Sequence, residues 1–112
     1  MRLSKILKVN LYLDDIRNPP PIKKWLILRS SKEAIDYVKK HGMPEYCSFD
    51  HDLGGDDTTM IFLKWLLDYD MDNAGTIIPD TFHYDVHSAN PVGVKNIHGL
   101  LDNYLQFRKS GQ

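Results

Sequence analysis

Four strings of this chain hold residue types that can do chemistry: Asp14-Asp15, Asp50-His51-Asp52, Gly54-Gly55-Asp56-Asp57 and His87-Ser88-Ala89-Asn90-Pro91. Two close carboxylates repel each other unless a cation or a shared proton offsets the cost. Mg²⁺ takes one or two carboxylates and keeps water and substrate phosphates as further ligands, so Asp14 and Asp15 read as a magnesium corner. The plainer alternative is a turn cap beside an ion pair with Arg17, because Asp is common in turns. Alternation along a strand puts Asp50 and Asp52 on one side and His51 on the other. Asp50 can then join Asp14 and Asp15 around one point, and Asp52 counts with them as a metal ligand. His51 reads three ways: an acid/base group, a metal ligand, or a polar residue satisfied at a sheet edge.

Gly54 and Gly55 allow backbone conformations closed to other residues. Asp56 and Asp57 can supply a further ligand, although capping of a helix that starts at Thr58 is the more economical account. His87-Ser88-Ala89-Asn90-Pro91 combines a proton carrier, a hydroxyl and an amide just before a helix. A helix N-terminus offers free N–H groups and partial positive charge to a phosphate. Ser88 and Asn90 can donate to phosphate oxygens and His87 can protonate a leaving oxygen. Capping explains Asn90 and leaves His87 unexplained. His41, His83 and His98 lack acidic or metal-spaced companions, Trp25 and Trp65 read as core, and Tyr104 with Phe107 reads as packing. Cys47 lies inside a predicted strand, which argues against a thiol nucleophile. No phosphate-binding glycine loop of the P-loop type occurs.

Those strings need elements to position them. Lys8 to Asp14 is an apolar, partly alternating run that reads as a first strand. Asn18-Pro19-Pro20-Pro21 reads as an extended loop, because proline fixes φ and removes donors. Trp25 to Leu28 is a second strand. Ser30 or Ser31 can cap a helix with Ala34, Ile35 and Val38 as its stripe, Lys39, Lys40 and His41 in its last turn, and Gly42 at its end. Tyr46 to Asp50 is a third strand. A second helix runs from about Thr58 to Asp70 with Ile61, Phe62, Trp65 and Leu66 on one face. Thr81 to His87 is a fourth strand after the break at Pro79. A last helix runs from Pro91 to about Arg108, with Ile97, Leu100, Leu101, Tyr104 and Leu105 along its apolar face. The order β-β-α-β-α-β-α implies a mostly parallel sheet covered by helices, with ligands outside the carboxyl ends of the strands.

The bulk properties bound the function. At 112 residues the chain predicts a single domain over 1–112, and 42% hydrophobic with 26% charged residues is ordinary for a globular protein. A formal net charge of −1 provides no global field for nucleic acid, so no extended nucleic-acid surface is expected and a phosphate must be held locally. One cysteine permits no internal disulfide and fits a cytoplasmic location. Met1 to Asn10 reads as no signal peptide, and the most apolar stretch, Met60 to Leu67, is interrupted by Lys64 and too short to span a bilayer.

Together and in this order, Leu11 to Pro20 (LYLDDIRNPP), Ser48 to Gly54 (SFDHDLG), Phe62 to Leu66 (FLKWL) and Val86 to Gly93 (VHSANPVG) resemble the cyclic-phosphate processing receiver-like family, a divergent branch of the two-component receiver fold. The resemblance implies a three-layer, receiver-like (flavodoxin-like) α/β sandwich with a mostly parallel sheet of about four strands flanked by helices. It also implies action on cyclic phosphates of nucleotides or RNA ends. By position the receiver acidic pair is Asp14 and Asp15, the acceptor aspartate is Asp50, and Ser88 falls at the receiver hydroxyl. A proline-rich loop stands where receivers have their first helix, and no fifth strand ending in the receiver lysine is evident. His51, Asp52, His87 and Asn90 are additions.

The expectation is a metal-assisted cyclic phosphodiester hydrolase. Asp14, Asp15, Asp50 and Asp52 would hold Mg²⁺ or Mn²⁺, and His51 and His87 would act with Asp50 as catalytic groups. Ser88, Asn90 and Arg17 would bind phosphate, and the ligand would be a cyclic nucleotide or an RNA terminal cyclic phosphate. The alternative is a non-catalytic receiver-like module that binds a nucleotide or a partner protein and regulates it.

Overall fold

The computed structural model describes residues 9–21 and 24–111. Strands β1 (Asn10–Leu13), β2 (Trp25–Leu28), β3 (Tyr46–Phe49) and β4 (His83–Val86) alternate with helices α1 (Ser31–His41), α2 (Thr59–Asp72) and α3 (Pro91–Ser110) in the expected order. The strands form one parallel sheet of order β2-β1-β3-β4. This is a receiver-like, flavodoxin-type α/β fold, whose order reverses between β1 and β3. The expected strand residue Lys8 and the signal-peptide reading of Met1 to Lys8 lie outside the described residues.

All three helices set their apolar stripes against one sheet face, so the described residues form two layers where a three-layer sandwich was expected. Leu11, Leu13, Cys47 and Phe49 meet Ala34 and Val38 of α1, Phe62, Leu63, Leu66 and Leu67 of α2, and Ile97 and Leu101 of α3 in one core cluster. The other face carries Tyr12, Trp25, Tyr46, Ser48 and Asp85, as alternation along the strands requires. Trp25 and Trp65 are partly buried at the margins of the packing rather than at its centre. On α2 the expected stripe is rotated: Ile61 is exposed and Leu63 is buried in its place. Cys47 is fully buried, and burial pushes its thiol well above the ordinary range, so it is no nucleophile. No helix among the described residues is long and apolar enough to cross a membrane.

Helix ends follow local chemistry. Ser30 Oγ accepts the Glu33 N–H of α1, and Gly42, at φ +85°, ends the helix by donating to the Val38 carbonyl. Asn90 Oδ1 caps α3 by accepting the Gly93 N–H, with Pro91 at the first helical position. α2 departs from expectation, because its N-cap Thr58 makes no side-chain cap bond and Asp57 does not serve it. Asp57 instead reaches α1, accepting from the Ser31 N–H at 2.9 Å and the Ser31 hydroxyl at 2.5 Å. That contact ties the β3–α2 loop to the start of α1.

Candidate functional site

The sheet ladder continues one residue past the ends of three strands. Asp14 N–H donates to the Leu28 carbonyl at 3.1 Å, Asp50 N–H to Leu13 at 2.9 Å, and His87 N–H to Phe49 at 2.9 Å. These bonds put Asp14, Asp50 and His87 side by side at the carboxyl edge, where the strand order reverses. Open α/β sheets bind ligands at such a point.

Asp14 is fully buried. Its Oδ1 accepts the N–H groups of Ile16 at 3.0 Å and Arg17 at 2.8 Å, and its Oδ2 accepts from His87 Nε2 at 3.0 Å. Burial pushes this carboxyl up, but the amides of Arg17 and Ile16 and the His87 ring together outweigh it and hold Asp14 below its usual range. Asp50 is also buried, and its Oδ1 accepts the His51 N–H at 2.8 Å. Its carbonyl takes the Thr59 hydroxyl, which fixes the start of α2 against the strand end. Asp15 is half-buried beside Gly54. Gly54 sits at φ +91°, a conformation that favours glycine, and a Cβ there would stand a tight 3.1 Å from Asp15 Oδ2.

One oxygen from each of Asp14, Asp15 and Asp50 lies within 4.8 Å of the others. Three hard oxygen donors converging from one side suit Mg²⁺ or Mn²⁺, which completes its octahedron with water and phosphate. Asp52 stands outside this cluster. β3 ends at Phe49, so the alternation that would have put Asp52 beside Asp50 does not extend that far. Asp52 Oδ1 instead meets His51 Nδ1 at 3.0 Å, and its Oδ2 accepts from Asn90 Nδ2 at 3.2 Å. The hydrogen bonds from His51 and then Asn90 hold its carboxyl below the usual range.

The two histidines flank the cluster from opposite faces. His51 lies on the helical side, packed so closely on α3 that a Cβ at Gly93 would fall 2.4 Å from its Cγ. Asp52 orients the ring through Nδ1, and among the described residues nothing reaches Nε2. His87 lies over the other sheet face, stacked on Tyr12 at 4.3 Å with planes 5° apart. Both its ring nitrogens are engaged, Nε2 by Asp14 at 3.0 Å and Nδ1 by Ser48 Oγ at 2.7 Å. Arg17, half-exposed, donates from Nη1 to the His87 carbonyl at 3.0 Å and keeps Nε 3.9 Å from Asp14 Oδ2.

The start of α3 is largely self-satisfied. Pro91 has no N–H, Gly93 N–H is capped by Asn90, and Ser88 Oγ accepts the Asn90 N–H at 3.1 Å. Both ends of the Asn90 amide are therefore engaged, whereas the Ser88 hydroxyl proton is still available to a ligand. Among the other histidines, His41 rests on Tyr37 and His83 contacts the Thr81 carbonyl. His98 does have an acidic companion: Tyr84 OH meets its Nδ1 at 2.9 Å and donates to Asp102 Oδ1 at 2.6 Å. Asp102 lies one helical turn on, a spacing that is visible in the sequence. Ser48 had no comparable signal, because its partner is 39 residues away.

The family model for the cyclic-phosphate processing receiver domain matches residues 9–103. The chain belongs to that family. The match runs from β1 into α3 and takes in every residue of the candidate site. No curated protein and no solved structure matches the chain.

Proposed function

We propose that the protein is a metal-assisted phosphoesterase that opens cyclic phosphates of nucleotides or RNA ends. The observation that carries this reading is the convergence of Asp14, Asp15 and Asp50 within 4.8 Å, beside the His51–Asp52 pair. Three carboxylates repel a phosphate, so a phosphate ligand at this edge requires a divalent cation with it. Mg²⁺ or Mn²⁺ held by these three groups supplies charge neutralisation and a more acidic water.

The residues divide the remaining work by their geometry. His51 is the proton carrier, because Asp52 holds its Nδ1 while Nε2 makes no hydrogen bond among the described residues. Opening the ring forms one P–O bond to water and breaks one P–O ester bond, and the departing alkoxide must gain a proton. His51 Nε2 is the group able to give that proton or to take one from the water. In this reading Arg17 and the Ser88 hydroxyl bind non-bridging oxygens, and Asn90 acts by holding Asp52. His87, with both nitrogens engaged, keeps Asp14 ionised and in place rather than meeting the substrate.

The second reading is the non-catalytic module that binds a nucleotide or partner protein. Its support is the same engagement of His87, which leaves one histidine rather than two facing a ligand. Turnover of a panel of 2′,3′- and 3′,5′-cyclic nucleotides and cyclic-phosphate-ended RNA, with Mg²⁺, Mn²⁺ or chelator, separates the two. The enzyme reading expects metal-dependent product formation that is lost in His51→Ala and Asp50→Ala. Ligand-dependent thermal shifts with no product anywhere in the panel would establish the binding module instead.

A further inference from the structure

Ser48 is the one buried polar side chain of β3, at 6% exposure, and it faces away from the apolar core. A hydroxyl in such a place costs stability unless it is hydrogen-bonded, and its partner among the described residues is His87 Nδ1 at 2.7 Å. The partners assign the protons on the ring. The Asp14 carboxylate lies 3.0 Å from Nε2 and the Ser48 hydroxyl 2.7 Å from Nδ1, so in the neutral ring Nε2 donates to Asp14 and Nδ1 accepts from Ser48.

We propose that Ser48 is a positioning residue of the site, which acts through His87 on the carboxylate cluster. Asp14 alone anchors one corner of the imidazole and leaves it free to pivot. Ser48 adds the second anchor on the opposite nitrogen, and the Tyr12 ring, parallel at 4.3 Å, supplies the floor. Two nitrogen anchors on a floor allow one ring orientation, because a flipped ring would present carbon to both partners. His87 so held donates always to the same oxygen of Asp14, and the other lone pairs of Asp14 keep one direction toward Asp15 and Asp50.

Serine, histidine and aspartate in this order also resemble a nucleophile triad, and the geometry argues against that use. In a triad the hydroxyl faces the reacting atom. Here Ser48 Oγ lies against the Nδ1 edge of the ring, whereas the carboxylate cluster lies beyond the Nε2 edge, and the hydroxyl is buried.

The proposal rests on the phosphoesterase reading for its catalytic consequence, and the test separates the two. Wild type, Ser48→Ala and Ser48→Thr are labelled with ¹⁵N-histidine and the ring nitrogens followed by two-bond ¹H–¹⁵N correlation. The expected result is a hydrogen-bonded acceptor shift at His87 Nδ1 in wild type and S48T. In S48A that resonance moves to the free-acceptor position and the ring signals broaden. In the turnover assay, S48A should lower kcat about tenfold at unchanged KM, the size of one lost hydrogen bond, with S48T restoring it. An unshifted His87 Nδ1 in a folded S48A protein overturns the proposal, as does an unchanged kcat. If wild type turns over no cyclic phosphate, the phosphoesterase reading fails, and the nitrogen shifts alone decide whether Ser48 positions His87.

Discussion

Two aspartates of this chain, Asp14 and Asp70, are completely buried, and they stand at opposite edges of the sheet with almost the same ligation. Asp14 Oδ1 accepts two backbone amides and its Oδ2 faces His87 and, at 3.9 Å, Arg17. Asp70 Oδ1 accepts the amides of Ile77 and Ile78, and its Oδ2 takes Tyr104 OH at 2.6 Å and Arg108 at 3.3 Å. What differs is the neighbourhood. Arg108 also binds the Ile78 carbonyl and Asp80, so the charge near Asp70 is balanced by protein groups. Asp14 is crowded by Asp15 and Asp50, and Arg17, half in solvent, is poorly placed to offset three carboxylates. The first arrangement is a closed structural joint between α2, α3 and the loop before β4. The second gathers three carboxylates whose charge no protein group balances to the same degree, the feature on which the proposed cation site rests.

The largest effect should come from breaking the closed joint. Asp70→Ala leaves a buried phenol and two amides without their acceptor and takes one of the partners of the partly buried Arg108, a loss of about 3–5 kcal/mol. Urea denaturation reads it directly. Turnover per folded molecule should be unchanged, and a loss of turnover without a loss of stability would mean that Asp70 belongs to the site after all.

The site has its own steric test in Gly93. An added Cβ would overlap the His51 ring at 2.4 Å, so Gly93→Ala must displace His51 from the carboxylate edge. Misplacement by about 1 Å can cost roughly a hundredfold in rate. The expected outcome is a large fall in kcat with a stability loss of only about 1–3 kcal/mol from overpacking. A wild-type rate in this variant would remove His51 from the mechanism.

Asp50→Asn sharpens the contrast with Asp70. Removing one of three crowded negative charges relieves repulsion, so without metal the stability should change by no more than about 1 kcal/mol and rise rather than fall. The thermal shift produced by Mg²⁺ or Mn²⁺ in wild type should disappear. A destabilisation like that of Asp70→Ala would show that the cluster is a structural joint too.

The same contrast explains what could be read from the sequence. Caps and strand ends depend on neighbours within four residues, so Ser30, Gly42, Asn90 and the elements they bound were legible. The meeting of Asp14, Asp15 and Asp50 followed from the rule that parallel α/β sheets gather their strand ends on one edge. Pairings set by sheet register across long separations were not legible. Ser48 with His87 and Asp57 with Ser31 are of this kind, as is the Asp70–Tyr104–Arg108 joint. Asp52 misled for a local reason, because β3 stops three residues earlier and the period-two argument has no strand to act on. Ile61 and Leu63 exchanged roles because apolar residues cover a wide arc of α2 (Ile61, Phe62, Leu63, Trp65, Leu66 and Leu67), and which part of it meets the sheet is set by docking rather than by periodicity.

The smallest effect is a pH dependence. Burial raises the Asp14 carboxyl, and the two amides with His87 lower it further than burial raises it. Its folded value therefore lies below its unfolded value. The resulting stability is fully present above the unfolded carboxyl pKa of about 3.9 and is lost as pH falls through the lower, folded value. His87→Phe keeps the stack on Tyr12 and removes one of the groups that depress Asp14. The acid limb of a urea-midpoint titration should then be smaller than in wild type, starting at the same unfolded value and levelling off at higher pH. Asp52 is depressed as well, by His51 and Asn90, so the comparison belongs in an Asp52→Asn background, where that contribution is gone. Coincident acid limbs for the two proteins would mean that the amides of Ile16 and Arg17 alone keep Asp14 ionised. The Ser48–His87 arm would then carry no electrostatic load on the cluster.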